Sequence, residues 1–423
     1  MRNRRNTRRR NKIIETITNK NFTIISITLI LIILISIGIM QYRKHEDRKA
    51  LAKQAEELEK QTEEIFNSVE KSLNDMQNMQ LASTVKISAV GDILCQMDMI
   101  EDGYKNGSYD FNYMFSNIAQ YVQKSDIAVG TLETNFTNNK YSGSGKYNAP
   151  IEFLQAVKNS GINLVSVAHN HVLDYGKEGM QTTIEQVQNQ GISVCGVAGN
   201  KENENAEFTG IIKEVKNIKI AFLSYTYGLS NENEISEEDK ENANIYSEEK
   251  VLKDLEYAKA NSNFIIVIMH WGEVNNNAIT EYQNNITDFL VKNDIDMILG
   301  SHPAVVEPMR ILQNDEGKNI LVAYSLGNYI SSLKYENADV ELILNIEIIK
   351  EPNTDKAYLQ KVDYTPIYVL DNGKKAENRF ELTDMKQLAK DYANGETSKI
   401  TRTTYDKIIK KIELLQKIVN ETE

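Results

Sequence analysis

Cysteine, histidine and tryptophan are scarce in this chain, which has 423 residues but only two cysteines, five histidines and one tryptophan. Two cysteines are too few for the disulfide framework of an exported protein of this length. One bridge between Cys95 and Cys195 and two separate thiols are both compatible with the sequence, and we favour two buried thiols. Because histidine is so scarce, the position of each histidine is informative about function.

Basic residues are too few to suggest a nucleic-acid-binding protein. The formal net charge is −12, with 26% charged and 41% hydrophobic residues, which is the balance of an ordinary globular chain. Beyond residue 21 the chain has 40 basic and 59 acidic residues, and this excess of acid would repel polyanions at long range. We therefore expect no nucleic-acid partner.

Only one long uncharged apolar run is present, and it lies near the N-terminus. Residues 22–40 are 19 residues without a charge, close to the roughly 20 residues that cross a bilayer as a helix. The sequence predicts a transmembrane helix over residues 22–41. A buried core helix is the weaker interpretation, since such helices usually have a polar face. A cleaved signal peptide is the other alternative, but the run is long for one and no A-x-A-like site follows it.

The basic residues that flank this run predict its orientation. Residues 1–21 form a basic tail with eight lysines and arginines, whereas the nine residues after Tyr42 have four, mixed with two acids. By the positive-inside rule we expect the tail to lie in the cytoplasm. The chain would then be a single-pass protein of the cell membrane with its main domain outside the cell. Residues 42–84 are predicted as a helical stalk or linker, because apolar residues recur there at threes and fours. A single helix and a coiled coil both fit this pattern.

Apolar runs alternate with helical patterns from about residue 85 onward. Runs such as VKISAVGD, NFIIVIMHWG and DIDMILGSHP are continuous and rich in β-branched residues, which indicates strands buried on both faces. Their alternation with helical stretches predicts an α/β domain over residues 85–370. Residues 371–423 have the pattern of polar amphipathic helices, which we interpret as a C-terminal extension outside the functional site.

Polar side chains follow the ends of these predicted strands. In an open α/β sheet, ligands bind outside the carboxyl ends of the strands, so we expect these side chains to converge. Carboxylate, carboxamide and imidazole groups at one rim favour a divalent-metal site. Four of the five histidines belong to this set, which is Asp92, Glu133, His169, Asn170, His171, Asp174, His270, Trp271, His302 and Asn328.

Six motifs occur in a characteristic order along the chain. They are GDIL at Gly91, TLE at Thr131, HNHVLDYG at His169, HWG at His270, GSHPAVV at Gly300 and YSLGNY at Tyr324. In this order they resemble the CapA family of poly-gamma-glutamate capsule synthesis proteins, which belongs to the calcineurin-like metallophosphatase superfamily. The resemblance covers roughly residues 85–335. It implies a four-layered αββα sandwich, here preceded by the predicted transmembrane helix and stalk.

The resemblance also implies metal ligands. Asp92 would bind one divalent ion, and Glu133 would take the bridging position between two ions. A second ion would be held by Asn170, His270 and His302. Imidazole and carboxylate ligands suit Mn, Fe or Zn.

Catalytic roles follow from the same resemblance. His171 would be the general acid that protonates the leaving oxygen, and Asp174 would orient it. Three further residues are candidates for the site without an assigned role, namely His169, Trp271 and Asn328.

Two positions depart from the family's pattern. Ala304 stands where the family has the second histidine of an HPH motif, and Gln96 stands where related sequences often have histidine. Both departures remove ligands of the ion that Asp92 would bind. We therefore expect one firm metal position and one doubtful position. His169 stands where the family usually has asparagine, and it either compensates or points away.

Two functions remain open, and a third interpretation is a fold that is retained without any function at the strand ends. One is a metal-dependent hydrolase outside the cytoplasm, resembling the metallophosphoesterases and acting in the biosynthesis of poly-gamma-glutamate or another capsule polymer. The other is a non-catalytic scaffold that binds or exports the polymer. In either case the expected partners are the lipid bilayer, an anionic polymer or envelope substrate, and other membrane proteins of capsule synthesis.

Overall fold

The computed structural model describes residues 82–420 except 199, 201, 203 and 204, together with scattered helical positions between residues 26 and 71. The chain divides into two compact units, Met1–Gln80 and Leu81–Glu423.

The N-terminal unit contains the predicted membrane span and most of the predicted stalk, whose last two residues, 83 and 84, belong to the first strand of the C-terminal unit. Its described positions are helical, both within the predicted span, at residues 26–28, 30 and 31, and within the stalk, at several positions from 57 to 71. The basic tail, the remainder of the span and the remainder of the stalk up to residue 81 lie outside the described residues. Among the residues that are described, no helix combines the length and the apolar character needed to cross a membrane. The membrane anchor therefore stays a prediction.

The C-terminal unit is built from both strands and helices. Its strands are β1 (Ser83–Ile93), β2 (Tyr104–Lys105), β3 (Ser108–Tyr109), β4 (Ile127–Leu132), β5 (Ser142–Ser144), β6 (Lys146–Asn148), β7 (Leu164–Ser166), β8 (Ser193–Cys195), β9 (Ile211–Val215), β10 (Ile218–Thr226), β11 (Phe264–His270), β12 (Met297–Ser301), β13 (Met309–Gln313), β14 (Asn319–Ala323), β15 (Asn328–Ile330), β16 (Val340–Lys350), β17 (Ala357–Asp371) and β18 (Phe380–Asp384). Its α-helices are α1 (Met97–Gly103), α2 (Asn112–Phe115), α3 (Ala119–Val122), α4 (Ile151–Asn159), α5 (Gly176–Asn189), α6 (Glu237–Lys240), α7 (Glu248–Asn261), α8 (Glu281–Lys292), α9 (Met385–Ala393) and α10 (Arg402–Val419).

The first sheet has eight strands and contains both parallel and antiparallel pairs. Its order is β18-β17-β16-β1-β4-β7-β8, and β15 also pairs with the end of β1. β1, β4, β7 and β8 are parallel neighbours, and β15 is parallel to β1. β16, β17 and β18 follow as antiparallel strands. All six residues of β4 are buried, as expected for a parallel strand covered on both faces.

The second sheet has six strands in the order β13-β14-β12-β11-β10-β9. Its four central strands are parallel, and antiparallel strands close both edges. All seven residues of β11 are buried. Because parallel strands all run in one direction, the carboxyl ends of β10, β11 and β12 lie at the same edge of this sheet.

The two sheets pack face to face over a shared core. Alternate residues of β1, including Ile87, join Phe222 of β10 and Ile266 of β11 in one buried cluster. The outer face of the first sheet is covered by short helices, with Phe115 of α2 and Phe153 of α4 in a second cluster. The outer face of the second sheet packs against α7 and α8. The layers therefore run helix, sheet, sheet, helix, and the predicted α/β class is confirmed.

The thiols of Cys95 and Cys195 are both free and buried. This agrees with two separate thiols rather than one bridge.

The first sheet continues beyond the predicted boundary at residue 370. β17 ends at Asp371, and β18 pairs with it as the next strand. After β18, α9 begins at an Asp384 cap and α10 begins at a Thr401 cap, whose side chains accept hydrogen bonds from backbone N–H groups of the first turn. Both helices bury apolar residues in the core that lies between the sheets. Part of the segment 371–423 thus completes the domain.

Candidate metal centre

The carboxyl ends of strands from both sheets meet at one place. From the first sheet, Asp92 lies near the end of β1, Glu133 directly follows β4, and Asn170 lies in the loop after β7. From the second sheet, His270 is the last residue of β11, and His302 directly follows β12. We refer to these five residues as the strand-end centre.

His270 is the most connected residue of the strand-end centre. It is fully buried. Its Nε2 lies 3.1 Å from Oε1 of Glu133 and 2.9 Å from Oδ1 of Asn170, and its Nδ1 lies 3.0 Å from Oγ of Ser301. Glu133, His270 and His302 each offer one ligand atom, and these three atoms lie within 4.8 Å of one another.

Asp92 is held by the backbone of the opposite sheet. The N–H of His302 donates to Oδ2 of Asp92 at 2.7 Å. Oδ1 of Asp92 is buried and has no hydrogen-bond partner among the described residues, although Nδ1 of His270 lies 3.5 Å away. The preceding residue must be glycine, because a Cβ at Gly91 would lie 1.7 Å from the carbonyl oxygen of Gly327.

The loop after β12 has an unusual backbone. His302 has φ +100° and Ala304 has φ +59°, in the left-handed region that side chains disfavour. This conformation is fixed by its neighbours, since Nδ2 of Asn328 donates to the carbonyl oxygen of Ala304 at 3.2 Å. Backbone strain of this kind persists where surrounding contacts hold it, and it is common at functional sites.

Burial and neighbouring charges have opposite effects on the pKa values of His270 and Glu133. Burial lowers the pKa of His270, but the nearby carboxylates of Asp92 and Glu133 outweigh it and raise this pKa to about 9. Burial raises the pKa of Glu133, but the hydrogen bond and charge of His270 outweigh it and lower this pKa to about 2. Burial and the charge of Glu133 raise the pKa of Asp92. A cation that binds here would therefore displace a proton from His270.

His302 and His169 favour their neutral form. Burial, assisted by the charge of His270, lowers the pKa of His302 to about 3. Burial likewise lowers the pKa of His169 well below its ordinary value. Neutral imidazole is the form that binds metal ions. In the case of His169, however, Nδ1 accepts a hydrogen bond from the N–H of His171 at 3.2 Å.

His171 and Asp174 form a pair beside the strand-end centre. Nδ1 of His171 lies 3.0 Å from Oδ2 and 3.1 Å from Oδ1 of Asp174. The N–H of Tyr147 also donates to Asp174 at 3.0 Å, and the Tyr147 ring packs edge-on against the His171 ring at 4.6 Å between centroids. A carboxylate on Nδ1 fixes the ring orientation and leaves Nε2 as the reactive nitrogen.

Two residues at the centre belong to none of the sequence motifs. Tyr227 and Ser230 lie in the loop after β10. Tyr227 is 38% exposed, and its ring lies 4.7 Å from the His302 ring between centroids. Oγ of Ser230 accepts from Nδ2 of Asn170 at 2.7 Å. Their signal in the sequence was only their position after an apolar strand, because tyrosine and serine are common residues in loops.

The structure shows the surroundings of Gln96 and Ala304, the two departures from the family's pattern. Oε1 of Gln96 accepts hydrogen bonds from the backbone N–H and the hydroxyl of Ser332, so this carboxamide oxygen is already engaged. Ala304 is buried and offers only a methyl group. Neither residue supplies a free ligand for an ion at Asp92.

Trp271 and Asn328 are two of the candidates without an assigned role, and their contacts differ. Trp271 is fully buried in the core on the outer face of the second sheet, where its Nε1–H donates to the carbonyl oxygen of Tyr324 at 2.8 Å. It does not face the strand-end centre. Asn328 pairs with Asp92 across the strands β1 and β15 and binds the Ala304 carbonyl, so it contacts the loop that carries His302.

The donor set of the strand-end centre fits one divalent ion. Two imidazoles, one carboxylate and one carboxamide oxygen converge, and these are ligands for Mn, Fe or Zn. The unpartnered Oδ1 of Asp92 is a further observation in favour of a cation, since a buried carboxylate oxygen normally has a partner. Gln96 and Ala304 offer no free side-chain ligand for a second ion.

Two solved structures align with part of this fold. The calcineurin-like phosphoesterase YfkN from Bacillus subtilis aligns with a TM-score of 0.41 and 13% identity, over 80% of this chain and 100% of that chain. The NAD nucleotidase of Haemophilus influenzae aligns with a TM-score of 0.43 and 13% identity, over 79% of this chain and 60% of that chain.

Two related proteins are named for the biosynthesis of a capsule or of PGA. The capsule biosynthesis protein CapA of Bacillus anthracis is 26% identical over 265 residues, which cover 60% of this chain and 60% of that protein. The PGA biosynthesis protein CapA of Bacillus subtilis (strain 168) is 24% identical over 222 residues, which cover 51% of this chain and 56% of that protein. The match thus spans less than two thirds of either relative.

The family match coincides with the part of the chain that forms the centre. Residues 86–333 match the family described as bacterial capsule synthesis protein PGA_cap. This range begins in β1, ends just after β15 and includes every residue of the strand-end centre together with His171 and Asp174. It is more than half of the 423 residues, and the chain therefore belongs to the bacterial capsule synthesis protein family PGA_cap.

Proposed function

We propose that the chain is a metal-dependent hydrolase of capsule-polymer biosynthesis, anchored in the cell membrane with its catalytic domain outside. The polymer is poly-gamma-glutamate or a similar anionic chain. The bond that is cleaved is a phosphoester, or an amide or ester bond of an envelope polymer. The observation that carries the proposal is the buried cluster of Glu133, His270 and His302 next to the His171–Asp174 pair.

The residues of the strand-end centre have distinct tasks in this proposal. Glu133, Asn170, His270 and His302 would hold the ion, and Asp92 would add negative charge from the side of β1. A divalent ion bound at this point would supply Lewis-acid chemistry for hydrolysis. The residues that would hold it are almost fully buried, so bulk water has little access to them.

Proton transfer to the leaving group is the task of His171. Its Nδ1 is bound by Asp174, so Nε2 is the nitrogen that can give a proton. The His171 side chain is 13% exposed, whereas that of Asp174 is 1% exposed. The acid can therefore reach a substrate while its orienting partner stays inside the protein.

The location outside the cell rests on the sequence of the N-terminal unit. The basic tail over residues 1–21 and the apolar run over residues 22–40 support an anchor with a cytoplasmic N-terminus. The partners in this proposal are the lipid bilayer, the anionic polymer and other membrane proteins of capsule synthesis.

A non-catalytic scaffold is the second candidate, and one observation favours it. Gln96 is engaged by Ser332 and Ala304 has no donor atom, so the ion position at Asp92 lacks ligands that two-ion hydrolases use. A scaffold would bind the polymer without cleaving it.

Metal content of the full-length chain tests the proposal. We expect about one equivalent of Mn, Fe or Zn per chain by elemental analysis, and its loss in His302→Ala. The matched control is His45→Ala, because His45 is the one histidine that is not among the candidate site residues. An absence of metal from the wild-type protein after supplementation would contradict the metal site, and two equivalents would contradict the single ion.

Catalysis is tested on the same preparations. We expect the wild-type protein to hydrolyse a chromogenic phosphodiester or to shorten poly-gamma-glutamate, and a chelator should abolish this activity. Binding of poly-gamma-glutamate that is unchanged by chelator, without any cleavage, would favour the scaffold instead.

A further inference from the structure

Ser230 lies between the metal ligand Asn170 and the acid His171. Its Oγ accepts a hydrogen bond from Nδ2 of Asn170 at 2.7 Å and lies 3.4 Å from Nε2 of His171. Its backbone N–H donates to the carbonyl oxygen of Asn170 at 2.7 Å. Two short contacts thus fix Ser230 against one residue, 60 positions earlier in the chain.

The contact with Nδ2 matters because the two ends of a carboxamide are chemically different. Only the oxygen of Asn170 can bind a cation, since the NH₂ group has no free lone pair to offer. The carboxamide can rotate by half a turn and exchange its two ends at little steric cost. Ser230 accepts from the NH₂ group, and this leaves Oδ1 directed at His270, 2.9 Å from its Nε2.

A hydroxyl group is suited to both of its neighbours. It accepts from Nδ2 of Asn170 with a lone pair, and its own hydrogen is free for Nε2 of His171 when that nitrogen is unprotonated. The ring of His171 is already fixed from the other side by Asp174. Ser230 therefore links the residue that would bind the ion to the residue that would protonate the leaving group.

We infer that Ser230 is a positioning residue, which holds the Asn170 carboxamide with its oxygen toward the ion and keeps that ligand in register with His171. This inference rests on the proposed metal centre. Groups that orient metal ligands typically change metal affinity by about 10–100-fold when they are removed. The same range is expected here.

The first test measures metal affinity rather than activity. Full-length wild-type protein, Ser230→Ala and Ser230→Thr are stripped of metal and titrated with Zn²⁺ or Mn²⁺ in competition with a chelator of known affinity. We expect Ser230→Ala to weaken binding by about 10–100-fold and Ser230→Thr, which keeps the hydroxyl, to bind within a few-fold of wild type. The matched control is Ser236→Ala, because the Ser236 side chain caps α6 by accepting a hydrogen bond from the N–H of Asp239.

A double-mutant comparison separates orientation from general loss of structure. In an Asn170→Asp background either oxygen of the side chain can face the ion, so no orienting contact is needed. We therefore expect Ser230→Ala to weaken binding much less in that background than in the wild-type background. A merely structural effect would be the same in both, and thermal unfolding of the metal-free proteins reports such an effect directly.

The outcomes distinguish the inference from the function on which it rests. Wild-type protein that binds no metal would overturn both. Wild-type protein that binds one ion, with Ser230→Ala equal to it, would overturn the role of Ser230 and leave the metal centre in place. An equal loss from Ser230→Ala in both backgrounds would overturn the orienting role.

Discussion

The two ring nitrogens of His171 have different surroundings, and this difference limits what the residue can do. Nδ1 is bound by both oxygens of Asp174, and Nε2 faces Ser230 at 3.4 Å. Asp174 has other support, since the Tyr147 N–H donates to it. An imidazole held in this way is a proton donor or acceptor at one nitrogen only. His171 is therefore suited to proton transfer and does not need to bind the ion.

A substitution at His171 should separate metal binding from catalysis. We expect His171→Asn to lower the rate of phosphodiester hydrolysis by about 10²–10⁴-fold, the usual contribution of a general acid, and to leave metal content unchanged. Asp174→Asn should have a smaller effect in the same direction, because the ring remains but loses its partner. Elemental analysis measures the metal content and steady-state kinetics the rate of hydrolysis, both on the same preparations. Loss of metal from His171→Asn would assign the residue to the ligands instead.

At the scale of single elements, helix α8 is joined to the loop after β12 by a buried polar pair. Thr280 and Gln283 form a capping box at the start of α8. Nε2 of Gln283 also donates to Oε2 of Glu307 at 2.7 Å. Oε1 of Glu307 is buried and has no hydrogen-bond partner among the described residues. Burial outweighs the hydrogen bond from Gln283 and raises the pKa of Glu307 to about 8.

This carboxyl group should make the stability of the domain depend on pH. Glu307 has its ordinary pKa of 4.5 in the unfolded chain and the raised pKa of about 8 in the folded chain. Its neutral form therefore makes its full contribution to the free energy of unfolding below about pH 4.5. This contribution is lost as the pH rises to about 8. Relative to wild type, we expect Glu307→Gln to gain up to about 1.4 kcal/mol in free energy of unfolding per pH unit across this window.

Denaturant unfolding at several pH values between 5 and 9 measures this difference. Glu316→Gln removes an exposed carboxylate and serves as the control, for which we expect a pH profile equal to that of wild type. A constant difference between Glu307→Gln and wild type at all pH values would show that Glu307 is ionised in the folded protein.

At the scale of the whole molecule, the two C-terminal helices complete the core between the sheets. Strand β16 contributes Leu342 and Leu344 to this core. Met385 of α9 and Ile408 and Leu415 of α10 belong to the same buried cluster. The helices are therefore part of the core that the two sheets share.

A substitution in α10 should reveal this role. Leu415 is 1% exposed, whereas its neighbour Leu414 is half-buried at the rim of a cleft. We expect Leu415→Ala to lower the free energy of unfolding by about 2–5 kcal/mol, the usual range for a buried leucine. Leu414→Ala should lower it by less than half as much. Equal effects of the two substitutions in denaturant unfolding would mean that α10 does not belong to the cooperative core.

The sequence alone predicts the α/β class and the residues at the strand ends. Both predictions use local signals, namely continuous apolar runs and the residues that directly follow them. Asp92, Glu133, Asn170, His270 and His302 could all be found by this rule. Ser230 and Tyr227 could not, since their importance depends on contacts with residues distant in the chain. The role of α9 and α10 was also hidden, because their amphipathic pattern shows that they cover a surface but not which one.

The strand-end centre takes Asp92, Glu133 and Asn170 from one sheet and His270 and His302 from the other. An ion bound there would connect the two halves of the core, and its binding free energy would be lost in any partly unfolded form that separates them. Such forms would become rarer as the ion is bound more tightly. Metal occupancy would thus govern the cooperativity of unfolding and, through it, the resistance of the domain to proteases.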